Sequence, residues 1–431
     1  MNDCVLSGKR TNTGTAPSSL CRGIEEMNGE RNANTDLYLL VLSRGARSFA
    51  GGILSVIIGL YYKYQLHLSL TLIGVLFAIG ALFTPLLTLV IGRYADIHGR
   101  KRLLLLALAS LPVAVLILLL TDNYTLLAIS AALGGFGIAG GLVGGGVGAS
   151  VAPMQTALLA EKTNSGNRTL VFSAFTIMTS VTGSAGALLS NLNNYDLLFV
   201  VALIFSIVSF AVVIPIRENF RPRVVTAGEK RTGKVDMRLI KKFATTGVLN
   251  GASQGLIIPF LPIILRHQFA MSNGMIGDLF AVGGVLTAVS MIFTPYLTSR
   301  LGFVRFIITT RAGSAAFALL FPFSISAAMA SVSYLIFTML RAIALPSQQS
   351  LMMNMVSEQS RSFATGSNQS ARLFPSAGAT LSSGAIQDVF PVFIPFEIAF
   401  ILNGVNIFLY HRFFGSMPEA NRVDAHDHTS E

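Results

Sequence analysis

The stretch Gly92–Arg102, GRYADIHGRKR, decides how the rest of the chain is read. It lies between two apolar runs, Leu70–Ile91 and Leu103–Leu120, each long enough to cross a bilayer core about 30 Å thick. The pattern predicts a short basic turn that leaves one membrane helix and enters the next. Gly92 and Gly99 permit tight turning. Asp96 suits the free N–H groups of a helix start, and Arg93, Arg100, Lys101 and Arg102 hold the turn at the cytosolic face.

The same alternation continues through the chain. Its 431 residues are 52% hydrophobic and 12% charged, with a mean hydropathy of +0.64. Soluble domains carry about a quarter charged residues. Half that share, with apolar runs recurring to the end, predicts an all-α polytopic membrane protein. Membrane strands would alternate over about ten residues, and these runs do not. Spans are expected near 38–62, 69–91, 103–120, 125–160, 169–190, 196–215, 243–265, 275–297, 304–323, 328–356, 364–386 and 391–411.

With the N-terminus inside, the cytosolic segments hold 24 of the 31 Lys and Arg, and the external loops hold only Lys63 and Arg266. That asymmetry places both termini in the cytosol. It accounts for most of the net charge of +11, so no nucleic-acid partner is expected. Five organisational segments follow. Residues 1–36 form a polar, disordered tail, 37–216 a first six-helix bundle, 217–242 a basic linker, 243–413 a second bundle and 414–431 a second tail. Nothing in the first 36 residues has the apolar stretch of a cleavable signal. Cys4 and Cys21 both lie in the cytosolic tail, which argues against a structural disulfide. His426 and His428 belong to a solvated tail, so no metal or other cofactor is expected.

In the 92–102 stretch the chain resembles the major facilitator superfamily, whose loop between helices 2 and 3 reads G-x-x-x-D-(R/K)-x-G-R-(R/K). Gly92, Asp96, Gly99, Arg100 and Lys101 match, and Ile97 stands where a basic residue is usual. The second half echoes the first. Tyr296–Arg305, YLTSRLGFVR, occupies the equivalent loop and keeps Arg300 and Gly302, with Ser299 in place of the Asp. Spans 5 and 11 each carry Ser-Ala-Gly-Ala, at Ser184–Ala187 and Ser376–Ala379. The resemblance implies twelve helices in two pseudo-symmetric six-helix bundles that rock about a midplane site. It also implies a conformational latch of Gly92, Asp96, Gly99, Arg100 and Lys101, with Arg300 and Gly302 in the second half. Two departures from the family's drug antiporters stand out: span 5 has no Pro in TGSAGALLS, and span 4 has no Arg before its cytosolic end.

Span 4 holds nine glycines between Gly134 and Gly148, including the stripe Gly140, Gly144 and Gly148. Such stripes let helices approach closely in lipid, and the length of the run predicts a tilted or broken helix. Gly135–Gly140, GFGIAG, formally matches a dinucleotide fingerprint. That fingerprint needs a preceding strand in a soluble βαβ unit, so helix packing is the reading.

Ionisable groups inside spans are costly, which makes them functional candidates. Arg44 and Arg311 are expected to snorkel to cytosolic headgroups. Arg47 and the deeper Arg341 and Arg372 are candidates for a wet central cavity, with Asn250, Gln254, Gln348, Gln349 and Gln369. Asp278 and Glu397 are the acids that lie clearly inside spans; they suit proton coupling, or equally a hydrogen bond between helices.

The expected function is secondary-active transport of a small organic solute by alternating access. Drug or metabolite efflux comes first, as a common role in the resembling family, and transport of an organic anion is the alternative that the arginines favour. A proton or sodium ion is the expected coupling ion. The protein is expected to be a monomer in the plasma membrane, with lipid as its other partner. A non-transporting sensor would need a signalling domain, which neither tail nor linker provides. No P-loop lysine, HExxH or GxSxG is present, which argues against ATP use and against an enzyme.

Overall fold

A computed structural model of the protein describes residues 19–98, 100–136, 151, 155, 158, 168–216, 237–356 and 361–415. All its regular elements are helical, and no strand occurs among the described residues. In chain order they are α1 (Ser19–Leu60), α2 (Leu70–His98), α3 (Arg100–Leu120), α4 (Tyr124–Gly134), α5 (Arg168–Leu188) and α6 (Tyr195–Ala211). There follow α7 (Met237–Ile257), α8 (Leu261–Phe269), α9 (Asn273–Ile292), α10 (Thr294–Leu301), α11 (Phe303–Leu320), α12 (Ala327–Met355), α13 (Arg361–Val389) and α14 (Phe393–Phe414). Among the described residues seven helical segments are long and apolar enough to cross a membrane, and three shorter apolar helices accompany them. The remaining expected spans correspond to α5 and the more polar α13.

Five helices begin at one end of the molecule with an Asn or Ser whose side-chain oxygen accepts from their free N–H groups. Asn123 accepts from Thr125 N at 3.0 Å, Asn194 from Leu197 N at 3.1 Å, and Ser69, Ser272 and Ser326 from Leu72, Met275 and Met329 N, each at 3.2 Å. Each cap contributes about 1 kcal/mol and fixes where its helix enters the apolar layer. The opposite end carries the first residues of α3, α7, α11 and α13 and the last of α14, and is called here the terminal end.

The packing repeats between halves. α1 lies against α5 and α6, α3 against α4 and α6, and α2 against α4. In the second half α7 lies against α13 and α14, α11 against α12 and α14, and α9 against α12. Glycines make the first of these pairings intimate. A Cβ on Gly52 would overlap the carbonyl of Gly183, and one on Gly186 that of Phe49, so α1 and α5 meet backbone to backbone. Gly247, Gly251 and Gly255 of α7 likewise face Asn368, Arg372 and Ser376 of α13. Small residues at four-residue spacing allow such approach. The Gly140, Gly144 and Gly148 stripe lies outside the described residues.

Between halves, α2 packs on α13 and α5 on α9. One large apolar core joins both halves at the capped end, drawing on Tyr62, Ile73 and Phe77 from the first and Phe260, Ile263 and Phe280 from the second. Towards the terminal end the described apolar residues separate into two clusters. One is built around Leu40, Leu104, Leu108 and Val213, the other around Ile240, Phe243, Ile307 and Tyr410. The capped end is therefore sealed across the halves.

Several expectations change. The backbone is helical from Ser19, inside the tail expected to lack structure; once a membrane span supplies the nucleus, each further residue adds a bond at little cost. The first turns of α7 lie within the expected 217–242 linker, because Ile240 and Phe243 bury in the terminal-end cluster. The 92–102 stretch is less of a turn than expected: α2 stays helical to His98 and α3 starts at Arg100. Asp96 thus belongs to the last turn of α2 instead of a helix start. The side chains of Gly92, Asp96 and Arg100, and all of Gly99, lie outside the described residues. Spans 7 and 8 are each interrupted, at Ile258–Phe260 with Pro259 and at Phe293 before Pro295, where proline removes a helix hydrogen bond. Span 4 is broken, as its length predicts: α4 stops at Gly135, whose φ of 63° suits glycine.

Candidate solute-binding site

A narrow cleft of about 20 Å³ opens within the second half, walled by α7, α11, α12 and α14. Three of the sequence candidates meet there in a hydrogen-bonded chain. Asn250 and Gln254 are one turn apart on α7, and Gln254 Nε2 donates to Asn250 Oδ1 at 2.9 Å. The Gln254 side-chain oxygen then accepts from Arg341 Nη1 of α12 at 3.2 Å. This fixes the guanidinium by one nitrogen and leaves its Nε buried with no partner among the described residues. Ser253, Ser314 and Asn403 add neutral polar groups, while Ile257, Phe337 and Leu345 make the wall apolar. No carboxylate lines the cleft among the described residues.

Arg311 also borders the cleft, and the sequence reading missed its role. Instead of snorkelling, it is 6% exposed and tied into the helix bundle. Nη1 donates to Asn406 Oδ1, Nη2 donates to Gln348 Oε1 at 2.6 Å, and its guanidinium carbon lies 4.6 Å from the Tyr410 ring centre. Two neighbouring helices, α12 and α14, thereby offset the cost of its burial with dipoles and a π face. Arg44 does not snorkel either. Its Nε donates to Thr179 Oγ1 at 3.2 Å and its guanidinium lies over Phe175. In both cases a neighbouring helix offers acceptors nearer than the headgroups.

The other candidates are dispersed. Arg47, 5% exposed, lies in the first half on the same face of α1 as Gly51, whose Cβ position is open space; its Nη1 has no partner among the described residues. Arg372 of α13 donates from Nη2 to Gln369 Oε1 on its own helix at 3.0 Å. It lies within electrostatic reach of both Arg341 and Arg311. Gln349 and Gln369 are exposed, whereas Gln348 is consumed by Arg311. Asp278 is at the sealed end, where its Oδ1 accepts from Asn191 Nδ2 at 2.8 Å, so it makes the inter-helix bond rather than lining the cleft. Glu397 is half-buried near the start of α14.

Of the latch residues, Lys101 Nζ donates to Ile214 O at 2.7 Å, just past the end of α6. Arg300 lies over the Tyr296 ring at 4.8 Å, and Gly302 has a φ of 77° between α10 and α11, a conformation that favours glycine.

The sealed end holds two polar links between halves that the sequence did not single out. Asp388, the penultimate residue of α13, accepts from Leu70 N at 2.9 Å and from Thr71 N and Oγ1 at 2.7 and 2.6 Å. Arg266 of α8 stacks on Tyr64 at 4.2 Å and donates from Nη1 to Tyr195 Oη at 3.2 Å and Asn273 Oδ1 at 2.6 Å. Both residues lie just outside the expected spans, where a search for costly intramembrane charges passes over them.

Two helical halves of like packing, sealed at one end and holding a polar cleft in an apolar body, define a membrane solute transporter. Residues 40–380 match the Major Facilitator Superfamily, and the protein belongs to that family. No curated protein sequence matches the chain. Among solved structures it is similar to a mutant form of the nucleoside transporter NupG, with a TM-score of 0.69 and 14% identity over 88% of this chain and 100% of that one. It is similar to a D-xylose-proton symporter, with a TM-score of 0.68 and 13% identity over 88% of this chain and 97% of the other. The human organic anion transporter MFSD10 (TETRAN) gives 0.62 and 13% identity over 88% and 100%. At these identities the likeness is one of fold.

Proposed function

We propose that the protein is a secondary-active carrier that moves an organic anion by alternating access, with both termini in the cytosol. The observation that carries this reading is Arg341: a half-buried side chain held by Gln254, with a buried and free Nε, in a cleft whose described lining contains no carboxylate. An uncompensated buried cation is expensive unless a ligand supplies the counter-charge. Efflux of amphipathic drugs, the commoner role in the family, has less support here, because a cationic drug would find no carboxylate in that lining. With the positive-inside distribution orienting the chain, the sealed end is external and the conformation faces the cytosol. The two bundles, 37–216 and 243–413, are the rocking units, and the protein works as a monomer.

Coupling to a proton or sodium ion completes the proposal. Asp278 is the better placed of the two carboxylates, since its bond to Asn191 must break when the external end opens. Reconstituted protein should take up organic anions into liposomes in competition with one another, and Arg341→Gln should abolish that uptake. Uptake of cations or neutral sugars that anions do not compete with would refute the reading. Absence of any flux, with ligand binding retained, would favour the sensor alternative.

A further inference from the structure

We infer that the solute carries two negative charges, received between Arg341 and Arg372. This rests on the organic-anion reading above and makes it narrower.

In the second half Arg311 of α11 and Arg341 of α12 border the cleft, and Arg372 of α13 lies within electrostatic reach of both. Arg311 is already engaged by Asn406, Gln348 and the Tyr410 face. The other two are not. Arg341 uses Nη1 on Gln254 and leaves Nε buried and bare among the described residues. Arg372 uses Nη2 on Gln369, an acceptor on its own helix, so no other described helix holds its guanidinium. The glycine contacts set their relative height. Gly251 of α7 touches the carbonyl of Arg372, and Asn250 and Gln254 flank that contact within one turn. Arg372 therefore joins α13 to the level of the Asn250–Gln254–Arg341 chain.

Charge decides the class of ligand. A monoanion on Arg341 would neutralise one cation and leave the second, within electrostatic reach, unbalanced. A dianion balances both. The rest of the cleft offers Ser253, Ser314 and Asn403 for hydroxyl or carbonyl groups, and its described lining has no acid for an ammonium. The expected solute is thus a small dianion without an amine. Dicarboxylates and phosphate monoesters share this chemistry, and the experiment separates them.

The test measures binding to purified full-length protein by calorimetry. The probes are succinate and its monoamide succinamate, and ethyl phosphate and diethyl phosphate, at a pH where the first member of each pair is doubly charged. In the pair that binds, the dianion should be favoured more than tenfold over its monoanionic partner; which pair binds identifies the source of the charge. Arg372→Gln should reduce that preference to less than threefold, weakening the dianion several times more than the monoanion. Arg372→Lys, which keeps the charge, should restore it and serves as the control for folding. Arg341→Gln should weaken both members of the pair.

Equal affinity for dianion and monoanion in the wild-type protein would overturn the inference while leaving the anion reading intact. So would equal loss of both in Arg372→Gln. Binding of cationic probes with none of the four anions bound would overturn both.

Discussion

The carboxylate of Asp388 caps the helix that begins beside Thr71, although the two residues belong to opposite halves of the molecule. It accepts two backbone N–H groups and one hydroxyl, and its charge meets the positive end of the α2 dipole. The cap exists only while the sealed end is shut. Replacing Asp388 by Asn removes the charge and one acceptor oxygen. Spin labels at Gln65 and Val389, with the native cysteines removed, should then report a longer mean distance in the ligand-free protein. An unchanged distance would deny Asp388 a part in closure.

The same contact predicts a pH response. Partial burial raises the Asp388 pKa, but hydrogen bonds from Thr71 and Leu70 and the charge of Lys63 outweigh it and hold the carboxyl below its ordinary value of 3.8. A lowered pKa means that closure gains stability above the ordinary value and loses it as pH falls through the lowered one. The Gln65–Val389 distance should therefore stay constant from about pH 8 to about pH 5 and lengthen only below about 4. Opening near pH 6 would show that another group controls the seal.

Arg266 contributes through shape as much as charge. Lysine would keep the cation but lose the flat stack on Tyr64 and the branching donors to Tyr195 and Asn273. Arg266→Lys should lengthen the same label distance, by less than Asp388→Asn, because the cation–π contact is worth about 1–2 kcal/mol. Full closure in the lysine variant would leave the stack without a role.

Arg311 and Arg341 are separable by experiment although both border one cleft. Arg311→Met leaves the acceptors of Gln348 and Asn406 buried without donors, at about 1–3 kcal/mol each. The melting temperature should fall by several degrees. Arg341→Gln should leave it nearly unchanged and instead lose anion affinity by more than tenfold. The reverse pattern would exchange their roles.

Gly251 and Gly51 make a second contrast. A methyl on Gly251 collides with the Arg372 carbonyl and must push α7 from α13, whereas a methyl on Gly51 meets open space. Gly251→Ala should lower the melting temperature sharply, and Gly51→Ala should not. Equal tolerance would mean that α7 and α13 can part without penalty.

The sequence disclosed the membrane class, the order of helices and the break in span 4, because apolar run length and glycine content act locally. Asn250, Gln254 and Arg341 were also found, since buried polar groups are costly wherever the chain takes them. What stayed hidden depends on partners distant in sequence. Arg311 resembled a snorkelling residue until Gln348 and Asn406 surrounded it. Asp388 and Arg266 resembled ordinary loop charges, since their significance comes from Thr71, Tyr64 and Tyr195 in the other half. The Gly247, Gly251 and Gly255 series was passed over for the denser glycines of span 4.

The two seams along α13 differ in kind. Against α7, besides the glycine contacts, Thr380 and Ser383 donate to the carbonyls of Gly255 and Leu256 at 3.0 and 2.5 Å. Against α2, Gly74 meets Gly384 and Ala81 meets Leu373 and Ala377, and the described hydrogen bonds across that seam are those of Asp388 alone. The first seam is welded along its length; the described hydrogen bonds of the second lie at its rim. In the alternating access proposed above, Arg372 moves with the α7 side of α13, and Gln254 of α7 in turn holds Arg341. The proposed charge pair then travels as a ready-made cradle, and the gate opens around it.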